Sequence, residues 1–166
     1  MSLPSAGYAS DFTPSDLGAG KSVVYDWDTH TAFIRDSDSP VGLVREAKHE
    51  YFVVAPILRN GMAVIGDADK FVTMADMRIA LVEATQDEVR VEVVSNQEWN
   101  PVTVGYAGRR PASVEAGNAK LEELSSLDRL KVAKSGWFWD YQTKLWHVKV
   151  DFAGAANMET RVFSIH

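Results

Sequence analysis

Short apolar runs separated by polar turns make up most of the chain. In 88–95, valines alternate with Arg90 and Glu92, which is the pattern of a strand with one buried face and one solvated face. Residues 51–55 are apolar at every position, as expected for a strand covered on both faces. The sequence Asn60-Gly61 accepts positive φ at little cost, so it predicts a hairpin between 49–58 and 62–65.

Further hairpins are predicted where polar pairs interrupt the strands. Segments 77–85 and 88–95 flank Gln86-Asp87, segments 113–116 and 119–123 flank Gly117-Asn118, and segments 137–141 and 145–152 flank a short polar turn. Leucines at every third position from Leu121 to Leu130 drift around a helix, so at most one short helix is expected. About ten to twelve short strands indicate an all-β, antiparallel β-sandwich.

Two regions are predicted. Residues 1–21 are rich in Ser, Gly, Ala and Pro and are interpreted as a leader and an extended segment without a core of its own. Residues 22–166 are predicted to form the β-sandwich domain.

Composition excludes several partners. The net charge is −6 and the 17 basic residues are scattered, whereas nucleic-acid binding needs a basic stripe. No apolar run approaches the roughly 20 residues that span a bilayer, so no membrane partner is expected. The chain has no cysteine, which rules out disulfides and thiolate zinc sites. We predict no metal and no cofactor, and the compartment stays open.

Several segments resemble one enzyme family. Thr13-Pro14-Ser15-Asp16-Leu17, Val23-Val24-Tyr25 and 50–57 are similar, in order and spacing, to the C-terminal region of family 36 glycoside hydrolases. The similar branch contains raffinose synthases, seed imbibition proteins and alkaline α-galactosidases. Residues 61–71 resemble the next element of that region. The segment 136–150 resembles the terminal hairpin of accessory β-domains in related retaining glycosidases, so the resemblance covers most of 13–152.

The resemblance implies a non-catalytic role for this chain. In that family the two catalytic aspartates lie on a barrel that precedes the β-domain, so none can be carried onto these residues. The expected function is an accessory domain that packs against, and stabilises, the catalytic barrel of the same parent chain. That parent would be a glycoside hydrolase or transglycosidase acting on α-galactosides or related α-linked sugars. Exposing the packing face would favour self-association of the isolated domain. Residues 95–135 depart from the family pattern.

Acidic residues offer two candidate sites. Asp67 and Asp69 could be the carboxyl pair that glycosidases need, but acids beside a glycine turn more often cap backbone amides, and capping is favoured. The other candidate is a calcium-binding loop formed by Asp26, Asp28, Asp36 and Asp38. For these four acids a solvated loop is favoured over calcium binding.

Histidines show no metal-ligand spacing. The four are His30, His49, His147 and His166, without an HxH or HxxxH pattern. His147 falls on the presumed outer face of its strand and is predicted to be a surface residue rather than a zinc ligand.

Aromatic residues give the clearest binding hypothesis. Trp137, Trp139 and Tyr141 alternate and would share one face of a strand, where sugar rings could stack while Asp140 binds their hydroxyls. The partner would then be an oligosaccharide. The favoured alternative places these rings in the core or an interdomain contact. Trp99 lies in a loop and is predicted to pack against the missing barrel.

Overall fold

Alternating side chains build antiparallel ladders along most of the chain. The computed structural model describes residues 12–41, 51–67, 69, 70, 73, 74 and 77–166. Over these residues twelve strands form three sheets, every ladder between strands is antiparallel, and one short α-helix is present. The predicted all-β fold is confirmed. The chain divides into two compact units, Met1–Pro56 and Ile57–His166. The predicted domain boundary after residue 21 stays a prediction.

The first unit contains a three-stranded sheet. A 3-10 turn over Pro14–Leu17 precedes the strands β1 (Ser22–Asp26), β2 (Thr31–Arg35) and β3 (Phe52–Pro56), which lie in the order β2-β1-β3. Asp26 Oδ1 accepts the backbone amides of Asp28 and Thr29 at 3.0 and 3.1 Å. This carboxylate therefore shapes the turn between β1 and β2.

The second unit contains two sheets. Its four-stranded sheet has the order β10-β11-β7-β4 and its five-stranded sheet the order β5-β6-β12-β8-β9. The elements are β4 (Met62–Asp67), β5 (Ile79–Ala84), β6 (Val89–Ser95), β7 (Val102–Ala107), β8 (Val114–Ala116), β9 (Ala119–Lys120), α1 (Leu127–Val132), β10 (Gly136–Asp140), β11 (Leu145–Lys149) and β12 (Glu159–Ile165). None of the described helices has the length and apolar character needed to cross a bilayer.

The inner faces of these two sheets share one hydrophobic core, as in a β-sandwich. Val91 of β6 and Phe163 of β12 meet Trp146 and Val148 of β11 in this core. The rings of Trp146 and Phe163 pack edge to face, with centroids 6.1 Å apart, a favourable aromatic geometry. A Cβ added to Gly105 of β7 would lie 2.0 Å from Trp146 Cζ2, so the indole needs a residue without a side chain beneath it.

The predicted hairpin across Asn60-Gly61 is wrong. The turn itself forms, because Leu58 N–H donates to the Met62 carbonyl at 2.7 Å. However, β3 pairs with β1, and β4 pairs with β7. The strand before the turn and the strand after it thus belong to different sheets. Residues 49 and 50 of the predicted strand lie outside the described residues.

The other hairpins are confirmed, and the leucine run is helical only at its end. β5 pairs with β6, β8 with β9, and β10 with β11. Helix α1 begins after Ser126, whose hydroxyl accepts the Arg129 amide at 3.3 Å and so caps the helix. Leu130 is fully buried, which anchors this short helix by packing rather than by length.

Candidate functional site

At the end of β4 the backbone of Gly66 and Asp67 packs closely against the carbonyl of Thr73. Gly66 has φ +106°, and a Cβ placed on it would lie 2.2 Å from the Thr73 carbonyl oxygen. The N–H of Asp67 donates to that same carbonyl at 2.9 Å. Only glycine combines this positive φ with so close a backbone approach. The position of Asp67 is therefore fixed by the residue before it.

Asp67 is buried, and each of its carboxylate oxygens has a polar partner within the fold. Its side chain is 2% exposed, its Oδ1 accepts the Asp69 amide at 3.0 Å, and its Oδ2 lies 3.2 Å from Arg78 Nη1. Burial raises the pKa of the Asp67 carboxyl above its ordinary value, and the Asp69 amide and Arg78 oppose this change. The expected turn-capping role of Asp67 is confirmed.

Trp99 stands beside this carboxylate on the loop after β6. Asn96 Oδ1 accepts the amides of Glu98 and Trp99, both at 3.1 Å, and this turn leaves the indole 48% exposed. The Arg78 guanidinium lies 4.6 Å, and Lys70 Nζ 5.5 Å, from the centroid of the indole ring. Both distances are in the range of a cation–π contact. An exposed tryptophan is thus held in place by charged neighbours.

These residues border a small cavity, here called the Trp99 cleft. Its volume is about 200 Å³, and its lining includes Asp67, Asp69, Lys70, Arg78, Trp99 and Asn100. The Asn100 Nδ2 donates to the Lys134 carbonyl at 3.4 Å. Its Oδ1 is buried and has no hydrogen-bond partner among the described residues. A buried acceptor without a donor costs roughly 1–3 kcal/mol, and because this oxygen is buried it is not accessible to a ligand in the cleft.

A larger depression in the second unit is a weaker candidate. It has a volume of about 740 Å³ and is lined partly by Leu58, Ala84 and Arg90. The Arg90 guanidinium is engaged, because it donates to Glu83 at 2.8 Å and to Glu92 at 2.6 Å. None of the residues that line this depression is aromatic, whereas the Trp99 cleft has an exposed tryptophan.

The aromatic strip of β10 does not form one exposed platform. Trp137 is 3% exposed and belongs to the core, and Trp139 is half-buried against the same core, whereas Tyr141 is 69% exposed in the following turn. Asp140 Oδ1 accepts the Gln142 amide at 2.9 Å. Trp137 thus lies where the core alternative expects it. Carbohydrate binding by Trp139, Asp140 and Tyr141 stays a prediction.

The predicted exposure of His147 is wrong. His147 and Lys149 are each 8% exposed, because α1 packs against β10 and β11. The imidazole stacks on Phe138 with ring centroids 5.8 Å apart, and Lys149 Nζ donates to the Lys131 carbonyl at 2.6 Å. Burial lowers the pKa of Lys149, and Asp69 opposes this change.

Metal-binding geometry is not found in the described part of the chain, where no three His, Asp or Glu side chains converge as ligands. His30 Nδ1 instead lies 2.6 Å from the Tyr25 hydroxyl oxygen, and His166 is exposed at the end of the second unit. His49 lies outside the described residues.

Comparisons with known proteins give a distant structural likeness. No protein-family model and no curated protein matches this chain. Among solved structures, it is similar to the GH31 dextranase of Flavobacterium johnsoniae complexed with glucose, at 16% identity and a TM-score of 0.48 over 93% of this chain. A mutant of that dextranase complexed with isomaltotriose gives the same values. The chain spans 23% of the length of these dextranase chains. At this level the likeness assigns neither a family nor an activity to the chain.

Proposed function

We propose that this chain is a non-catalytic accessory β-domain of a glycoside hydrolase, similar to the α-galactosidase and raffinose synthase branch. It packs against the catalytic barrel of its parent chain and stabilises it. The parent class rests on the ordered resemblance of segments within 13–152. In this proposal the packed sheets of the domain serve as a structural support for the barrel.

The observation that carries the non-catalytic role is the engagement of its best-placed acid. Hydrolysis of a glycosidic bond needs two carboxyl groups on either side of the bond, one as acid and one as base or nucleophile. Both oxygens of Asp67 are hydrogen-bonded within the fold, to the Asp69 amide and to Arg78. The Asp67 carboxylate is also only 2% exposed, so it serves the turn and the ion pair with Arg78 rather than facing a substrate.

Trp99 is the residue that we assign to barrel packing. Its indole is 48% exposed and stands on a loop whose turn is held by Asn96. Contacts between domains of one chain are moderately large and mixed in polarity, and a rigid aromatic among charged side chains meets that description.

The test compares the parent protein with and without these 166 residues. We expect both forms to hydrolyse the same α-linked substrate, while the truncated form loses activity faster on heating. A parent gene that encodes no barrel upstream of this domain, or a truncated protein as heat-stable as the whole, contradicts the proposal.

The second candidate function is carbohydrate binding by an aromatic platform. Tyr141 favours it, because its ring is 69% exposed beside the hydrogen-bonded Asp140 carboxylate. Saturable binding of galacto- or gluco-oligosaccharides that Tyr141→Ala abolishes supports this function. Binding that is unchanged in Tyr141→Ala contradicts it.

A further inference from the structure

We propose that the free edge of β5 pairs with β5 of a second copy of this chain, so that two five-stranded sheets join into one. β5 lies at the end of its sheet and has a neighbour, β6, on one side only. The contact is antiparallel and two-fold symmetric. It involves neither the tryptophan assigned to barrel packing nor the aromatic strip of β10, and the inference does not depend on the proposed function.

The hydrogen bonds of the β5–β6 hairpin show which backbone groups face the free edge. The amide of Thr85 donates to the Glu88 carbonyl at 2.9 Å, so these two residues form a hydrogen-bonded pair. In an antiparallel ladder such pairs alternate with non-hydrogen-bonded pairs. Glu83 therefore bonds to β6, whereas Val82 and Ala84 direct their N–H and C=O groups away from β6.

These outward backbone groups lie open to solvent. No hydrogen bond from another described segment reaches the backbone of Val82 or Ala84, and Ala80, Leu81 and Glu83 are exposed. Unpaired N–H and C=O groups along a sheet edge are a template for another strand. The stretch 80–84 contains no lysine and no proline, the residues that commonly block such pairing.

Hydrogen-bond direction and charge fix the register. Centring the contact on Val82 places it opposite Val82 of the second copy, with Leu81 opposite Glu83 and diagonal to the other Leu81. Centring on Glu83 would place two carboxylates opposite each other, which is destabilising. Centring on Leu81 would carry the ladder as far as Ile79, through the bulge that bends the start of the strand.

Charge does not oppose the contact in this register. Glu83 Oε2 accepts from Arg90 Nη1 at 2.8 Å, so each carboxylate at the contact already has its counter-ion. Leu81 is 37% exposed and gains an apolar neighbour across the two-fold axis. The stretch 80–84 is far shorter than the roughly 20–30 residues that each side of a standard interface contributes. The dimer should therefore be weak and should form only at high protein concentration.

The test is a proton–nitrogen NMR series of the whole chain from micromolar to millimolar concentration, with sedimentation velocity to measure the mass. We expect a monomer–dimer equilibrium. As the dimer forms, the amides of Val82 and Ala84 should shift and become protected from hydrogen exchange. The amide of Glu83 bonds to β6 and should be protected at every concentration, which makes it an internal control.

Substitutions on the edge separate this contact from any other. Ala84→Pro removes an outward N–H without removing a bond to β6, and Leu81→Glu places a second carboxylate opposite Glu83. Each should weaken the dissociation constant at least tenfold. Leu81→Lys meets Glu83 with the opposite charge and should weaken it less than Leu81→Glu does. Val132→Glu is the matched control, since Val132 is 87% exposed on α1, and it should leave the constant unchanged.

Thermal melts check that each variant is folded. A monomer at every concentration, protection of the two outward amides that does not depend on concentration, or a dimer that Ala84→Pro and Leu81→Glu leave unchanged overturns the proposal. The last result would place self-association on another face of the domain. None of these results bears on the heat stability of the parent protein, so failure here is distinguishable from failure of the packing role.

Discussion

The buried ion pair between Asp67 and Arg78 gives the sharpest prediction on stability. The side chains are 2% and 13% exposed, and one contact of 3.2 Å joins them. Removing one partner of a buried pair costs about 3–5 kcal/mol, because the other charge stays buried and uncompensated. The contact is single and the guanidinium keeps some exposure, so we expect Arg78→Met to lower the free energy of unfolding by about 3 kcal/mol at neutral pH.

The same reasoning predicts a rescue by a second substitution. Asp67→Asn removes the buried charge but keeps an oxygen that can accept the Asp69 amide. The double variant Asp67→Asn/Arg78→Met should therefore be more stable than Arg78→Met alone, by about 2 kcal/mol. Urea unfolding followed by tryptophan fluorescence measures both differences. Arg161→Met is the matched control: its pair with Glu159 is exposed, so its cost should stay below about 1 kcal/mol.

The stability cost of Arg78→Met should depend on pH in a defined direction. The folded-state pKa of Asp67 is raised above 3.8, so the folded protein binds this proton more tightly than the unfolded chain does. Stability from this group is therefore lost as the pH rises through the folded-state pKa and is regained as the pH falls. Without Arg78 the pKa of Asp67 rises further, so the cost of Arg78→Met should shrink as the pH falls from neutrality. A cost that is independent of pH, or a double variant no more stable than Arg78→Met, refutes the buried-charge explanation.

Three further predictions concern the second unit. Gly105→Ala should destabilise the fold by more than about 3 kcal/mol, since its Cβ would lie 2.0 Å from Trp146; a melting temperature equal to that of the parent chain contradicts this. Asp140 has a pKa that burial tends to raise but hydrogen bonds from the following turn lower overall. Its contribution is present above the unfolded-state pKa and is lost as pH falls, so Asp140→Ala should cost stability at neutral pH and little in strong acid, as measured by urea unfolding. Lys149 has a lowered pKa, so stability should rise as the pH climbs from the folded-state pKa towards the unfolded-state value. Lys149→Met should lack that alkaline gain in a pH series of thermal melts, and an equal gain in both proteins counts against the burial argument.

Local patterns in the sequence were sufficient to predict most of the strands. The hairpin of β10 and β11 follows from alternation on both sides of a polar turn, and both its strands and its pairing were predictable. The turn at Asn60-Gly61 was also placed correctly. Its flanking strands pair with distant partners, however, and no local signal in the chain specifies a non-local ladder.

Burial of the outer sheet face was not predictable from periodicity. Alternation places His147 and Lys149 opposite Trp146 and Val148, but it does not say what covers the second face. A short helix, α1, lies against β10 and β11, and the leucine spacing alone did not locate it. The polar residue His147 on this covered face was consequently predicted to be a surface residue.

The candidate site was only partly visible in the sequence. Asp67 and Asp69 stood out as neighbouring acids, and Trp99 as an aromatic in a loop. Nothing in the sequence indicated that Trp99 and Asp67 share one cleft, or that Arg78 lies between them. Such a site is assembled by the pairing of β4 with β7 and of β5 with β6, and it can be recognised only once those ladders are known.

The most direct measurement is a turnover assay of the purified chain on aryl α-galactosides and α-glucosides, with Asp67→Asn and Asp69→Asn as matched variants. If the domain is a scaffold, release of the aryl group stays at the level of a buffer blank for all three proteins. Hydrolysis by the unaltered chain that either substitution abolishes would show instead that this turn is an active site.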